Sequence, residues 1–128
     1  MATTLTFLQS PHPGLSAARQ AGGWLLQATG CLLLADFLSG LTHWAEDAYG
    51  EATWPVVGPH VIAPNLLHHR DPRAMTRQSW LRNIDIPFVL GALVLLVVGL
   101  SGHLTWRWLL TVSLLVMTNL VHRWAHQT

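Results

Sequence analysis

Asp36, His43 and Asp47 punctuate an otherwise apolar run, Asp36-Phe-Leu-Ser-Gly-Leu-Thr-His43-Trp-Ala-Glu-Asp47. On a helix their spacing places acid, imidazole and acid on one stripe, with Gly40 between them. Charged and imidazole groups are expensive at membrane depth, so their presence there marks a site. An acid as deep as Asp36 needs a polar partner, and Gly40 would let a neighbouring helix approach the stripe closely. Two further clusters occur, His68-His69 and the pair His122/His126. The latter two are one helical turn apart and can grip a single ion. Imidazole with carboxylate suits iron, zinc or manganese, and the near absence of sulfur ligands argues against an iron–sulfur cluster.

These groups need elements to carry them. The 128 residues are 51% hydrophobic and 10% charged, whereas soluble domains carry roughly a quarter charged residues. Three apolar stretches account for the excess: Trp24 to Leu41, Ile84 to Ser101 and Leu104 to Val121. Each is near the roughly 20 residues that cross the hydrocarbon core. Asp85 and Pro87 shorten the second, which leaves room for a re-entrant hairpin. The expected fold is therefore an all-α integral membrane protein with about three transmembrane helices, preceded by a mobile tail over residues 1–20. The membrane domain would occupy residues 21–128.

Orientation follows from the arginines. Arg70, Arg73, Arg77 and Arg82 crowd the connection between the first and second stretches, while Arg19 and Arg107 stand alone. The positive-inside rule places that connection in the cytoplasm. Gly50, Pro55, Gly58, Pro59, Pro64 and Pro72 break long helices there, so it reads as a structured loop over the membrane face. All three histidine clusters then fall on one side, the cytoplasmic face. That membrane would be the bacterial inner membrane in a prokaryote and the endoplasmic reticulum in a eukaryote.

Trp44, Trp54, Trp80, Trp106, Trp108 and Trp124 flank apolar runs as interfacial anchors do. His12, His60 and His103 read as ordinary interfacial residues. Arg70, Arg73 and Arg77 are topology determinants, and their guanidinium forks also suit a phospholipid phosphate. The net charge of +1 and the lack of a Lys/Arg run argue against nucleic acid as a partner. Chemistry on an unactivated carbon chain within a bilayer needs a strong oxidant, which a histidine-bound iron pair with oxygen provides. Two rivals stand beside this: a haem held between His43 and His122, and a non-catalytic membrane module.

The residues Asp36-Phe37, Gly40, His43-Trp44, Asp47, Gly50, Pro55, Gly58, His68-His69-Arg70-Asp71-Pro72, Thr76-Arg77, Asn83 and Asn119-Leu-Val-His122-Arg-Trp124-Ala-His126 closely resemble the lipid desaturase domain of plasmanylethanolamine desaturases, the Kua and CarF-like family. The resemblance covers about residues 30 to 126. It implies a histidine-box membrane oxidoreductase that forms the vinyl-ether double bond of plasmalogens from an alkyl-ether phospholipid. It further implies oxygen, a non-haem di-iron centre and a cytochrome b5-type electron donor. Carried over by position, the metal ligands would be His43, Asp47, His68, His69, His122 and His126. Asp47 and Asn119 would be the catalytic polar groups, with Asp36 as a supporting one.

Two departures qualify the resemblance. Thr76-Arg77-Gln78 stands where the family pattern has Thr-x-His, and the family's further His-x-x-His-His box is not within the 128 residues. Residues 21–128 are accordingly expected to be a partial domain with ligands enough for one metal: a truncated or split version, one that receives the missing box from another chain, or one that has lost activity.

Overall fold

The computed structural model describes residues 13–127, and the regular elements among them are all helical. They are α1 (Pro13–Tyr49), α2 (Ala63–Arg70), α3 (Asp85–Leu100) and α4 (Trp106–Ala125). A π-helical turn spans Gly58–Ile62, and 3-10 turns occupy Ala74–Arg77 and Trp80–Asn83. Of the tail expected over residues 1–20, residues 13–20 are the first turns of α1; the rest, with His12, lies outside the described residues.

α1 continues for 37 residues because no proline interrupts it after Pro13. Its segment Ser16–Tyr49 is long and apolar enough to cross a membrane, and only 11% of its most apolar window is buried. α3 is strongly apolar but has 16 residues. α4 has 20, with Asn119, His122 and Arg123 diluting its apolar character near the end.

Two ring contacts fix how the long helices run. Trp24 and Trp106 meet at 5.0 Å between centroids, while His43 and His122 lie 6.4 Å apart. α1 and α4 are therefore parallel and in register, with their tryptophans at one end and their histidines at the other. At 1.5 Å per residue the two levels are separated by about 24–28 Å, close to a hydrocarbon core. α3 runs back between them in sequence, packing on α4 through Gly91, where an added Cβ would lie 2.7 Å from Val112 Cγ1.

The buried core is thin. Cys31 and Ala35 of α1, Gly58, Ile62 and Ala74 of the loop, and Thr111, Val112 and Leu120 of α4 are the buried residues among those described. Leu25, Leu26, Leu33 and Phe37 on α1, and Phe88, Val97 and Leu100 on α3, point outward, each more than 60% exposed. An apolar surface this continuous exceeds what a protein keeps in water.

Two expectations for the first stripe need correction. Gly40 has nothing within 4 Å of the place its Cβ would occupy, so no helix approaches it. Asp36 is exposed and has no polar partner among the described residues. The reason is rotational: α4 packs on the Cys31/Ala35 side of α1, and Asp36 is turned about 100° from Ala35.

Glycine substitutions separate the two cases. Gly91→Leu should lower the thermal stability of the detergent-solubilised protein by roughly 1–3 kcal/mol through forced separation of α3 and α4. Gly40→Ala should leave it unchanged or raise it by up to about 1 kcal/mol through helix propensity. Thermal unfolding followed by tryptophan fluorescence distinguishes them.

Candidate metal centre

The chain between α1 and α2 must reverse tightly for the histidines to meet. At the end of α1 the Gly50 amide donates to the Glu46 carbonyl at 2.9 Å. A side chain there would collide with that carbonyl and with Ile62, which packs against it. Val57 then donates to the Pro55 carbonyl across Val56, whose φ is +64°, making a γ-turn of the strained, positive-φ kind. Gly58 lies so close to the Ala52 carbonyl that a Cβ would approach it to 2.4 Å. The π-helical turn follows, and π-turns concentrate at functional sites. This reversal brings α2 back across the ends of α1 and α4.

Three other contacts tie the remainder of the loop down. Arg77 pairs with Asp71, and its hydrogen bond holds the Asp71 carboxyl below the usual carboxylate range. Arg123 of α4 donates to the Thr76 carbonyl at 3.0 Å. Asn119, one turn earlier, donates to the Asn83 carbonyl at 3.1 Å. Asn119 is thus a strap between α4 and the loop and is engaged away from the histidines.

Five imidazoles and one carboxylate gather at this end in two groups of three. His68, His122 and His126 form one, and His43, Asp47 and His69 the other; within each, one ligating atom per residue lies within 4.8 Å of the others. In the first group the Nε2 atoms of His122 and His68 face each other at 2.9 Å. Only one of them can carry a hydrogen at that distance, so the pair is set to share a proton or a cation. His126 closes the group, 4.9 Å from His68 and 4.8 Å from His122 between ring centroids.

In the second group Asp47 is the hub. Its Oδ1 lies 2.9 Å from His69 Nε2 and accepts from Asn65 Nδ2 at 2.7 Å. Its Oδ2 is 3.9 Å from His43 Nε2, and Glu46 stands 3.8 Å from the other nitrogen of that ring. Two histidines with one carboxylate form the donor set of non-haem iron(II) oxygen-activating sites. The groups adjoin: His68 and His69 are 5.9 Å apart, and His43 and His122 6.4 Å. The His43 and His122 rings each also meet another imidazole, His69 at 5.6 Å from the first and His68 at 4.7 Å from the second.

The donor chemistry therefore fits two metal ions with three protein ligands each, where the spacing of motifs suggested enough for one. Asn65, Glu46 and Arg123 escaped the sequence reading. Asn65 had a signal, since it precedes His69 by one turn and shares its face. Arg123 had none. Among the arginines expected to meet a headgroup, Arg70 borders a groove of ≈ 340 Å³ with Asp47, Leu66 and His69. Arg77 is committed to Asp71, and the Arg73 amide donates to Asp71 Oδ1 at 3.2 Å.

Residues 32–128 match a family model described as the lipid desaturase domain. A plasmanylethanolamine desaturase of Myxococcus xanthus is 36% identical over 121 residues, which cover 83% of this chain and 41% of the relative. The mouse plasmanylethanolamine desaturase 1 is 49% identical over 49 residues, 38% of this chain and 18% of its own. A chloroplastic fatty acid desaturase 4-like 2 of Arabidopsis thaliana is 32% identical over 99 residues, 75% of this chain and 35% of its own. The chain spans less than half the length of these curated relatives. No solved structure matches it.

Burial holds the His68 imidazole below the ordinary histidine value, with His126, His69 and His43 acting in the same sense and the Pro72 backbone opposing. Its Nδ1 is buried and makes no hydrogen bond of normal geometry. A histidine with a lowered folded pKa is neutral in the fold and protonated in the unfolded chain between the two values, so acid favours unfolding. In chelator-treated protein the melting temperature should fall as pH drops below about 6.5. His68→Gln should flatten that fall, as scanned by fluorescence from pH 7.5 to 5.

Proposed function

Because the chain belongs to the lipid desaturase domain family, we propose that it is an iron-dependent membrane lipid desaturase acting on an alkyl-ether phospholipid. The observation that carries the reading is the pair of adjoining donor groups at one end of an outward-facing apolar surface. On this reading α1, α3 and α4 all cross the bilayer, and the loop from Gly50 to Ile84 lies over its cytoplasmic face. A cytochrome b5-type protein would deliver electrons there, and the longer relatives suggest that further residues or another chain complete the site.

His68, His122 and His126 would hold one iron, and His43, Asp47 and His69 the other. The irons, when bound, supply the two-electron oxidation of carbon coupled to the reduction of dioxygen. The chain's own residues do the rest. Glu46 fixes the His43 ring from its far side, and Asn65 shares Asp47 with His69 so that the carboxylate keeps one orientation. Arg70, at the edge of the groove beside Asp47 and His69, would take the headgroup phosphate. Holding the headgroup there sets which carbon of the chain reaches the centre, which is how binding becomes positional selectivity. The exposed apolar faces below the histidines give the chain a path from the bilayer.

Similarity to the chloroplastic fatty acid desaturase 4-like protein favours a second reading, in which the double bond enters an acyl chain.

Expression in a host that makes plasmanyl lipids but no plasmalogens should yield acid-labile vinyl-ether phospholipid, detected by mass spectrometry. His43→Ala and His122→Ala should each reduce it below detection. Purified protein should carry two irons per chain, falling to about one in the His69→Ala or His126→Ala variant. Lipid turnover with no bound iron would overturn the metal assignment, and an acyl double bond would establish the second reading.

A further inference from the structure

The end of the molecule remote from the histidines holds a second, unrelated arrangement. A cleft of ≈ 310 Å³ opens between α1 and α4, with Gln27, Cys31 and Leu34 on one wall and Arg107, Trp108 and Thr111 on the other. Gln27 precedes His43 by sixteen residues and Arg107 precedes His122 by fifteen, so the cleft is about 22–24 Å from the metal centre along the helices. Trp24 and Trp106, tilted against each other, lie at the same end, as interfacial aromatic residues do.

The side chains of Gln27, Arg107 and Thr111 have no hydrogen-bond or ion-pair partner among the described residues. None of the six acidic residues lines the cleft, and Arg107 forms no ion pair in the described structure. Thr111 is only 6% exposed, the one buried polar residue among those described. A helical threonine ordinarily bonds back to the carbonyl four residues earlier; here that carbonyl, of Arg107, faces the Cys31 thiol at 3.8 Å. The Thr111 hydroxyl makes no hydrogen bond within the described structure. Buried side-chain atoms without a partner in the described structure are His68 Nδ1 and Arg123 Nη1, so the Thr111 hydroxyl is accessible from the cleft, where an entering polar group can meet it.

We infer that this cleft binds one anionic phospholipid from the leaflet opposite the metal centre, its phosphate on Arg107 and Gln27 and a glycerol or ester oxygen on Thr111. Arg107 and Thr111 are one turn apart on one face of α4, about 6 Å along the axis, which suits a phosphate and the glycerol beneath it. Leu34 and Trp108 continue the cleft as apolar walls for the first carbons of a chain. A zwitterionic headgroup would bring a cation for which the cleft offers no acid, so the selectivity is for a net negative lipid. The inference rests on the reading that α1 and α4 cross a membrane; it does not depend on the chemistry at the other end.

Alkaline extraction of membranes tests the first premise: release of the full chain would overturn both readings, and retention sustains the spanning one. Native mass spectrometry of the detergent-purified chain titrated with phosphatidylglycerol or phosphatidylcholine then tests the site. One phosphatidylglycerol should be retained, at least tenfold more tightly than phosphatidylcholine. Arg107→Gln should weaken it about tenfold and Thr111→Val a few-fold, while Arg82→Gln, at the histidine end, should not. Circular dichroism and iron content should be unchanged in all three variants. Equal retention of the two lipids, indifference to Arg107→Gln, or displacement by millimolar inorganic phosphate would overturn the site.

Discussion

A helix turns about 100° per residue, so two adjacent side chains cannot face the same neighbour. The His68-His69 pair on α2 converts that constraint into architecture. His69 reaches Asp47 on α1, and His68 reaches His122 on α4. A single dipeptide thereby belongs to two donor groups at once, and neither group is complete unless α2 is wedged between the ends of the two long helices. The devices in residues 50–83 serve that placement. Gly50 and Gly58 permit the tight reversal, and Val56 accepts a positive φ that ordinarily costs about 1–3 kcal/mol. Asp71 with Arg77, Thr76 with Arg123 and Asn83 with Asn119 pin the far side of the loop.

Those pins give α4 two roles on neighbouring stripes. His122 and His126, four apart, face the other histidines. Asn119 and Arg123, also four apart and one position away in helical phase, face loop carbonyls. The same helical repeat that aligns the histidines aligns their supports. A rotation of α4 that spoiled one pair would spoil the other, so histidine placement and loop attachment are mechanically a single property.

The gathering of three histidine clusters at one end was legible in the sequence, because apolar stretches of similar length carry their flanking residues to similar levels and the first and third run the same way. The all-helical class followed from the same stretches. Rotation about each helix axis was not legible. Asp36 and Gly40 share a stripe with His43 and Asp47, yet the packed side of α1 is the one bearing Cys31 and Ala35. Apolar residues cover α1 on nearly every side, so periodicity could not say which side meets α4. The division of the five histidines and Asp47 into two groups was equally hidden. It depends on the path of a loop whose course is set by contacts between residues 18 to 54 positions apart, such as Asn65 with Asp47 and His68 with His122.

The spacing between the two groups is decided far from either of them. His43 and His122 stand where α1 and α4 hold them, and the helix separation depends on what lies between them below. The residues buried along that contact are small, Cys31 and Ala35 on one side with Thr111 on the other. Small side chains let helices approach without large ridges, which keeps the rings of His43 and His122 to 6.4 Å. A bulkier seam would spread the helices, and α2, with one histidine committed to each, could not follow both. Small residues in the middle of the molecule therefore help set the spacing of the histidines at its end, although none comes near them.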